Sequence, residues 1–224
     1  MPRIALVGSR ELASRLIHYV ETTGFGLVTG LFDDFESPGT IRLGKPILGG
    51  IAAAPACHAR GDFDAALIAI GYDHFDVRQR AFDELRSAGV PFATFVHPRA
   101  AIDPTVTLGS GTVVLANCTI DLHARIGENV YVAPQAFISH DVEIGAHCYL
   151  SASIALAGRT RVGQRCFLGI GTITINGITI GDGSHTGAGA VVVKDVPPGV
   201  LVVGVPAVVK RAAGGTAPDG KACG

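Results

Sequence analysis

The chain has 224 residues, with 18 Lys and Arg against 19 Asp and Glu and no block of like charge, which argues against a nucleic-acid surface. Hydrophobic residues make up 48% and charged residues 17%, so general disorder is excluded. No stretch approaches the roughly 18 uninterrupted apolar residues of a membrane span, the five cysteines form no CxxC pair, and Gly8 comes too early for a secretory leader. A soluble, cytoplasmic chain without a disulfide framework is expected.

The first hundred residues alternate strand and helix. Arg3–Gly8 (RIALVG) reads as a strand. Ser9 is placed to cap a helix from Glu11 to Thr22, with Leu12, Leu16, Ile17 and Val20 at helical spacing. Leu27–Phe32 reads as a second strand ending at Asp33-Asp34. Ala65–Gly71 is a third, followed by an amphipathic helix over Phe75–Ala88, and Phe92–Val96 then leads to His97-Pro98. Such alternation implies a parallel α/β sheet, whose ligands bind beyond the carboxyl ends of the strands. That rule gathers Gly8, Ser9, Arg10, Asp33, Asp34, Gly71 and Tyr72 around one crevice. Gly8 stands alone before SRELAS, so the G-x-G-x-x-G dinucleotide fingerprint is absent.

The second half has a period of six. From Ile102 to Val192, fourteen of sixteen residues at that step are aliphatic, and the other two are Thr174 and Thr186. Glycine often follows, and small or β-branched residues such as Val106, Thr112, Cys118 and Ala136 come four positions on. Hexads of this kind wind into a parallel β-helix, here about five coils of roughly 18 residues. Residues 18 apart then stack, which puts Cys118, Cys148 and Cys166 in the core. His140, two positions past the inward Ile138, falls near a corner with Asp141 beside it and Gly158 one coil above. An imidazole base with a carboxylate to orient it, and a glycine N–H to steady an oxyanion, suits acyl transfer. No outward cysteine offers a covalent intermediate, so direct transfer is expected.

These residues resemble a known family. The junction VHPRAAI, Phe137–Asp141, Ala157-Gly158, Phe167–Gly171, Gly187–Ala190 before Val196-Pro197, and the ending GVPAVVKR are similar to the left-handed β-helix acyltransferases. Within these, the nearest group is the sialic-acid O-acetyltransferases and nucleotide-amino-sugar N-acetyltransferases. The resemblance implies a Rossmann-like domain over 1–98 that holds a nucleotide sugar. It implies a left-handed β-helix over 99–211, a homotrimer, and acetyl-CoA lying between neighbouring coils as co-substrate, with no metal. It assigns His140 as base, Asp141 as its carboxylate and Gly158 to the thioester. Ile170, Gly187, Ala188, Pro206, Lys210 and Arg211 fall to the cofactor. Tyr149 stands where relatives carry a second histidine, and is assigned to the acceptor.

The expected activity is therefore N-acetylation of a nucleotide-linked amino sugar, a 4-amino-4,6-dideoxy sugar being the leading choice. O-acetylation of a sialic acid or another sugar hydroxyl is the first alternative. A non-catalytic nucleotide-sugar-binding protein is the second. A zinc site of the carbonic-anhydrase kind is disfavoured, because His123 falls beneath Asp141 and His140 to His147 is an unfamiliar ligand spacing. Ala212–Gly224 reads as a disordered tail, with Cys223 incidental.

Overall fold

The computed structural model describes residues 1–213. The chain divides into two compact units, Met1–Phe95 and a second beginning at Val96.

The first unit contains β1 (Arg3–Val7), α1 (Glu11–Thr22), β2 (Leu27–Phe32), β3 (Ile41–Arg42), β4 (Lys45–Gly49), α2 (Ala54–Ala59), β5 (Ala65–Ile68) and α3 (Phe75–Ser87). Sheet order is β3-β4-β2-β1-β5; β3 is antiparallel to β4 and the other pairs are parallel. Strand β1 sits centrally because four of its five residues are apolar and buried, as a strand covered on both faces requires. Helix α1 turns Leu12, Ala13, Leu16 and Val20 inward.

Three details differ from the sequence reading. Strand β5 stops at Ile68 instead of Gly71, because the buried Arg78 guanidinium takes the Ile70 carbonyl at 2.9 Å in place of a ladder partner. Phe92 makes a single bridge to Ala66, and the next strand is only Phe95–Val96. The hairpin β3–β4 and helix α2, which opens on Ala54-Pro55, lie in a stretch that the hydrophobic pattern left unassigned.

The second unit is a parallel β-helix of the left-handed class. From Ala101–Ile102 to Val191–Val192 the strands are two residues long and begin every six residues. They stack into three sheets, each strand pairing in parallel with the one 18 residues on, as Phe137 does with Thr119 and Ala155. The faces built on Ala101–Ile102, Thr107–Leu108 and Val113–Val114 are here the first, second and third. Between strands the chain turns through a residue of positive φ every six positions. Nine of these carry side chains: Asn117, His123, Asn129, Gln135, Asp141, His147, Ser153, Arg159 and Arg165. That conformation costs a non-glycine residue roughly 1–2 kcal/mol, so the stacked coils impose it.

The aliphatic hexad residues and the positions four later fill the interior together, with Cys118, Cys148 and Cys166 among them. Their thiols donate to carbonyls of the following coil, Cys148 to Gly163 at 3.0 Å and Cys166 to Gly181 at 3.2 Å, and burial pushes the Cys148 thiol up. The last strands, Val200–Val203 and Val208–Ala212, form an antiparallel pair on the third face. Ala212 pairs with Val200 and the Ala213 N–H donates to Gly199, so the first two residues of the expected tail are part of the fold. The remainder of that tail, with Cys223, lies outside the described residues.

Candidate active site

The corner between the first and second faces carries a column of residues 18 apart: Leu122, His140, Gly158 and Asn176. The residue after each of the first two, His123 and Asp141, has positive φ. This turn aims the Asp141 carboxylate back at its neighbour, and His140 Nδ1 donates to Asp141 Oδ2 at 2.9 Å. That hydrogen bond holds the Asp141 carboxyl below the usual carboxylate range, helped by the charges of His140, His123 and Arg159. It also fixes the tautomer, leaving Nε2 as the free basic nitrogen. The imidazole remains 39% exposed, open to an incoming group.

Nε2 lies against Gly158. A side chain at 158 would collide with Nε2 and Cε1 of His140, so the glycine makes room for the imidazole itself. The Gly158 carbonyl accepts from Gly177, while among the described residues no backbone carbonyl takes its N–H. Along the second face runs a groove of about 460 Å³, with Arg125, Glu143 and Arg161 on the side nearer this corner and Gly127, Gly145, Gly163 and Gly181 at the edge toward the third face.

The other expected cofactor residues sit at the opposite edge of the first face. Ile170 and Ala188 precede the positive-φ residues Gly171 and Gly189 of one corner column, and both are exposed. Gly187 is half-buried beside Ala188. Pro206 and Lys210 are exposed and Arg211 is half-buried in the terminal strand pair. The apolar first face lies between the two corners and exposes Phe137 (45%) and Ile173 (44%).

Tyr149 is elsewhere. It lies on the third face, opposite the His140 corner of the same chain, in a stack that runs Tyr131, Tyr149, Phe167, His185. It is 7% exposed, packed 4.6 Å from the Tyr131 ring. Among the described residues no three His, Cys, Asp or Glu side chains gather as a metal site.

In the first unit the expected crevice residues do converge. Gly8 has φ +110° at the end of β1, and a Cβ there would meet the Ala69 carbonyl at 2.9 Å. Ser9 does not cap α1. The N-cap is Arg10, which is exposed and extended, and the buried Ser9 hydroxyl instead donates to Asp33 Oδ2 at 2.6 Å. Asp33 Oδ1 accepts the Phe35 N–H at 2.9 Å, so both carboxylate oxygens serve the protein. Asp34 Oδ1 accepts the Ile51 N–H at 2.8 Å, which ties the turn after β2 to the segment following β4. Gly71 is extended and opens the short turn Tyr72–His74. Burial raises the Tyr72 phenol, with smaller contributions from the charges of Asp73 and Glu11.

Two structural features of the site are not predicted from the sequence. One is the regular positive-φ corner, whose signal was there in the recurring Asn, Asp, Gly and His three positions after each aliphatic residue. The other is the pair of core threonines, noted as exceptions to an aliphatic column and given no role.

The family model described as the hexapeptide repeat of succinyl-transferase matches residues 159–194. Among solved structures, the chain is similar to the perosamine N-acetyltransferase of Caulobacter crescentus in complex with CoA and GDP-perosamine. Identity is 34%, coverage is 94% of this chain and 98% of that one, and the TM-score is 0.86. That enzyme has also been solved with one histidine replaced by asparagine or by alanine. The acetyltransferase domain of PglB from Neisseria gonorrhoeae is 25% identical over 94% of this chain and 100% of that one, with a TM-score of 0.84. No curated protein matches the chain.

Proposed function

The chain belongs to the left-handed β-helix, hexapeptide-repeat sugar acetyltransferases, and we propose that it transfers acetyl from acetyl-CoA to the amine of a nucleotide-linked amino sugar. A 4-amino-4,6-dideoxy sugar is the acceptor this reading favours, and the perosamine enzyme's complex with GDP-perosamine supports an amino sugar carried on a nucleotide.

The observation that carries the proposal is the His140 corner. Asp141 holds Nδ1, which leaves Nε2 to accept a proton from the sugar amine as it attacks the thioester carbon. The N–C bond forms, and the oxygen of the tetrahedral intermediate accepts from the Gly158 N–H. Collapse breaks the C–S bond, and the proton held by His140 passes to the departing thiolate. No nucleophilic side chain is needed, which agrees with the burial of Cys57, Cys118, Cys148 and Cys166, the cysteines among the described residues. Exposed Ile170 and Ala188, with Gly187 and Pro206, suit the pantetheine arm, and Lys210 and Arg211 suit its phosphates.

The nucleotide sugar falls to the first unit in this reading. Arg10, at the start of α1, is free to meet a diphosphate. The Ser9–Asp33 bond shapes the crevice, and Asp34 and Tyr72 offer groups at its rim. A role for Tyr149 toward the acceptor needs a second copy of the chain, because its own coil turns it away from His140. The working form is read as a homotrimer in the cytoplasm. Supporting the assembly is the exposed apolar first face, which a single solenoid leaves uncovered.

The test is release of CoA, followed with a thiol reagent, on GDP-, dTDP- and UDP-linked 4-amino sugars and on free sialic acid. Turnover on one amino sugar is expected, reduced by about 10²- to 10⁴-fold in His140→Ala. Turnover only with sialic acid would assign the chain to hydroxyl acetylation. Silence on every acceptor with no CoA binding would make it a binding protein.

A further inference from the structure

We infer that Thr160 and Thr174 are positioning residues that hold the Gly158 amide where the acyl oxygen meets it, an inference that rests on the reading of Gly158 given above. The observation is a break in the ladder between coils. From Asp103 to Ile175, every residue but one that follows an inward hexad residue donates its N–H to the backbone carbonyl of the hexad residue 17 positions on. Ser139 does so to Leu156 at 3.0 Å, Gly145 to Val162 at 2.8 Å and Ser151 to Leu168 at 2.9 Å. Ala157, immediately before Gly158, donates instead to the side chain of Thr174, at 3.0 Å from Oγ1. The strand pairing reflects this. Ala155–Leu156 and Ile173–Thr174 register at Ala155 opposite Ile173 alone, whereas the pairs on either side register at two residues.

Hydroxyl chemistry fixes the direction of the remaining bonds. Thr160 Oγ1 is 2.7 Å from the Ala157 carbonyl, an acceptor only, so its proton goes there. Thr160 and Thr174 lie 2.9 Å apart, so Thr174 is the donor between them. The result is a closed ring: Ala157 N–H to Thr174, Thr174 to Thr160, Thr160 to Ala157 C=O. Both are buried, Thr160 at 0% and Thr174 at 4% exposed, where loose hydroxyls are costly. Ala157 thus has its donor held by a side chain and its acceptor held by both the hydroxyl and the backbone N–H of Thr160, and the next peptide N–H is that of Gly158.

A second ring provides the contrast. Thr172 and Thr186 are 2.6 Å apart and enclose Gly169 in the same way, the Gly169 N–H lying 3.0 Å from Thr186 Oγ1. There the ladder survives, because the same N–H is also 3.0 Å from the Thr186 carbonyl. Only at Ala157 has the hydroxyl replaced the ladder.

Thr174→Val keeps the volume and removes the ring, allowing Ala157 to return to the carbonyl used elsewhere. Expected is a fall in kcat of about 10- to 100-fold, with KM for acetyl-CoA and the Kd for CoA by calorimetry within about twofold. Thr174→Ser restores most of kcat, and Thr160→Ala, which opens the ring from the other side, repeats the loss. Thr186→Val removes an equal buried hydroxyl where the ladder remains, and leaves kcat within about twofold. Native kcat in Thr174→Val and Thr160→Ala overturns the inference, as does an equal loss in Thr186→Val or no rescue by serine. His140→Ala is assayed alongside. If it is inactive while Thr174→Val is normal, only the threonine inference falls; if it too is active, the reading of the corner falls.

Discussion

The two units keep their side chains in place differently, one at a fixed separation along the chain and the other at varied ones. In the β-helix, polar corner residues meet the residue one coil on: Asn129 reaches His147, Gln135 reaches Ser153 and Gln164 reaches Asp182, each 18 positions apart. In the α/β unit, Arg3 reaches Asp64 across 61 positions, Ser9 reaches Asp33 across 24 and Asp34 reaches Ile51 across 17. A periodic scaffold confines a change to one coil and its neighbours, while the crevice spreads it between strand ends. On the periodic side, chemistry is therefore written as departure from the period. Glycine stands at 158 where the column otherwise has side chains, and threonine stands at 174 where it has aliphatics.

The sharpest test of this contrast pairs two glycines. Gly158→Ala puts a methyl on His140 Nε2, and kcat is expected to fall about 10²- to 10³-fold, with CoA affinity and melting temperature little changed. Gly8→Ala forces φ +110° on a residue whose Cβ meets the Ala69 carbonyl, and should instead lower the melting temperature and raise KM for the nucleotide sugar. If both variants lose kcat alone, or both lose stability alone, the contrast between units does not hold.

Packing gives the next largest effect. Leu150 is fully buried in the middle of the β-helix core, and Leu150→Ala should cost about 2–5 kcal/mol in urea denaturation. Ser9→Ala leaves the buried Asp33 carboxylate with one partner fewer, at about 1–3 kcal/mol, and should raise KM for the sugar without altering KM for acetyl-CoA. An unchanged sugar KM would make the Ser9–Asp33 bond a matter of stability alone.

The same contrast explains what the sequence made legible. Sixteen hexad positions place the β-helix core to the residue, and stacking by 18 puts Gly158 over His140 from the sequence alone. In the α/β unit the strands β1 and β2 and helix α1 were readable from apolar runs, because their burial is local information. The Ser9–Asp33 bond was not, since a serine before a helix has a local use as a cap and only the adjacency of β1 and β2 offers the alternative. Helix α2 and the hairpin β3–β4 were missed for a related reason. Residues 38–59 mix Gly, Pro and Ala with no clear period, and their structure depends on pairing with β2. Tyr149 shows the limit on the periodic side. Nine residues past His140 is half a coil, which the period itself sends to the opposite face.

The smallest predicted effect concerns pH, and it again separates the units. Burial lowers the imidazole pKa of His185, at the end of the ring stack, and the nearby Arg211 lowers it further; burial and Arg99 do the same to His97. A histidine held neutral in the fold binds fewer protons than in the unfolded chain. Its contribution is therefore unfavourable once pH falls below the unfolded value of about 6.5, and stability drops as pH decreases from there. Both histidines belong to the β-helix. In the α/β unit the Asp64 carboxyl is held low by its hydrogen bonds from Arg3, so that ion pair persists above about pH 4 and does not respond in this window. Between pH 7 and pH 5 the β-helix should thus lose stability before the α/β unit does. Tyrosine fluorescence would follow the first in a Tyr19→Phe/Tyr72→Phe background, which leaves the stacked Tyr131 and Tyr149 as the emitters, and helical circular dichroism the second, since among the described residues the three α-helices lie in the α/β unit. In His185→Gln the gap between the two transitions should narrow. A helical signal that melts first on acidification would show that the ion pairs of the α/β unit, and not the buried imidazoles, set the acid limit of the protein.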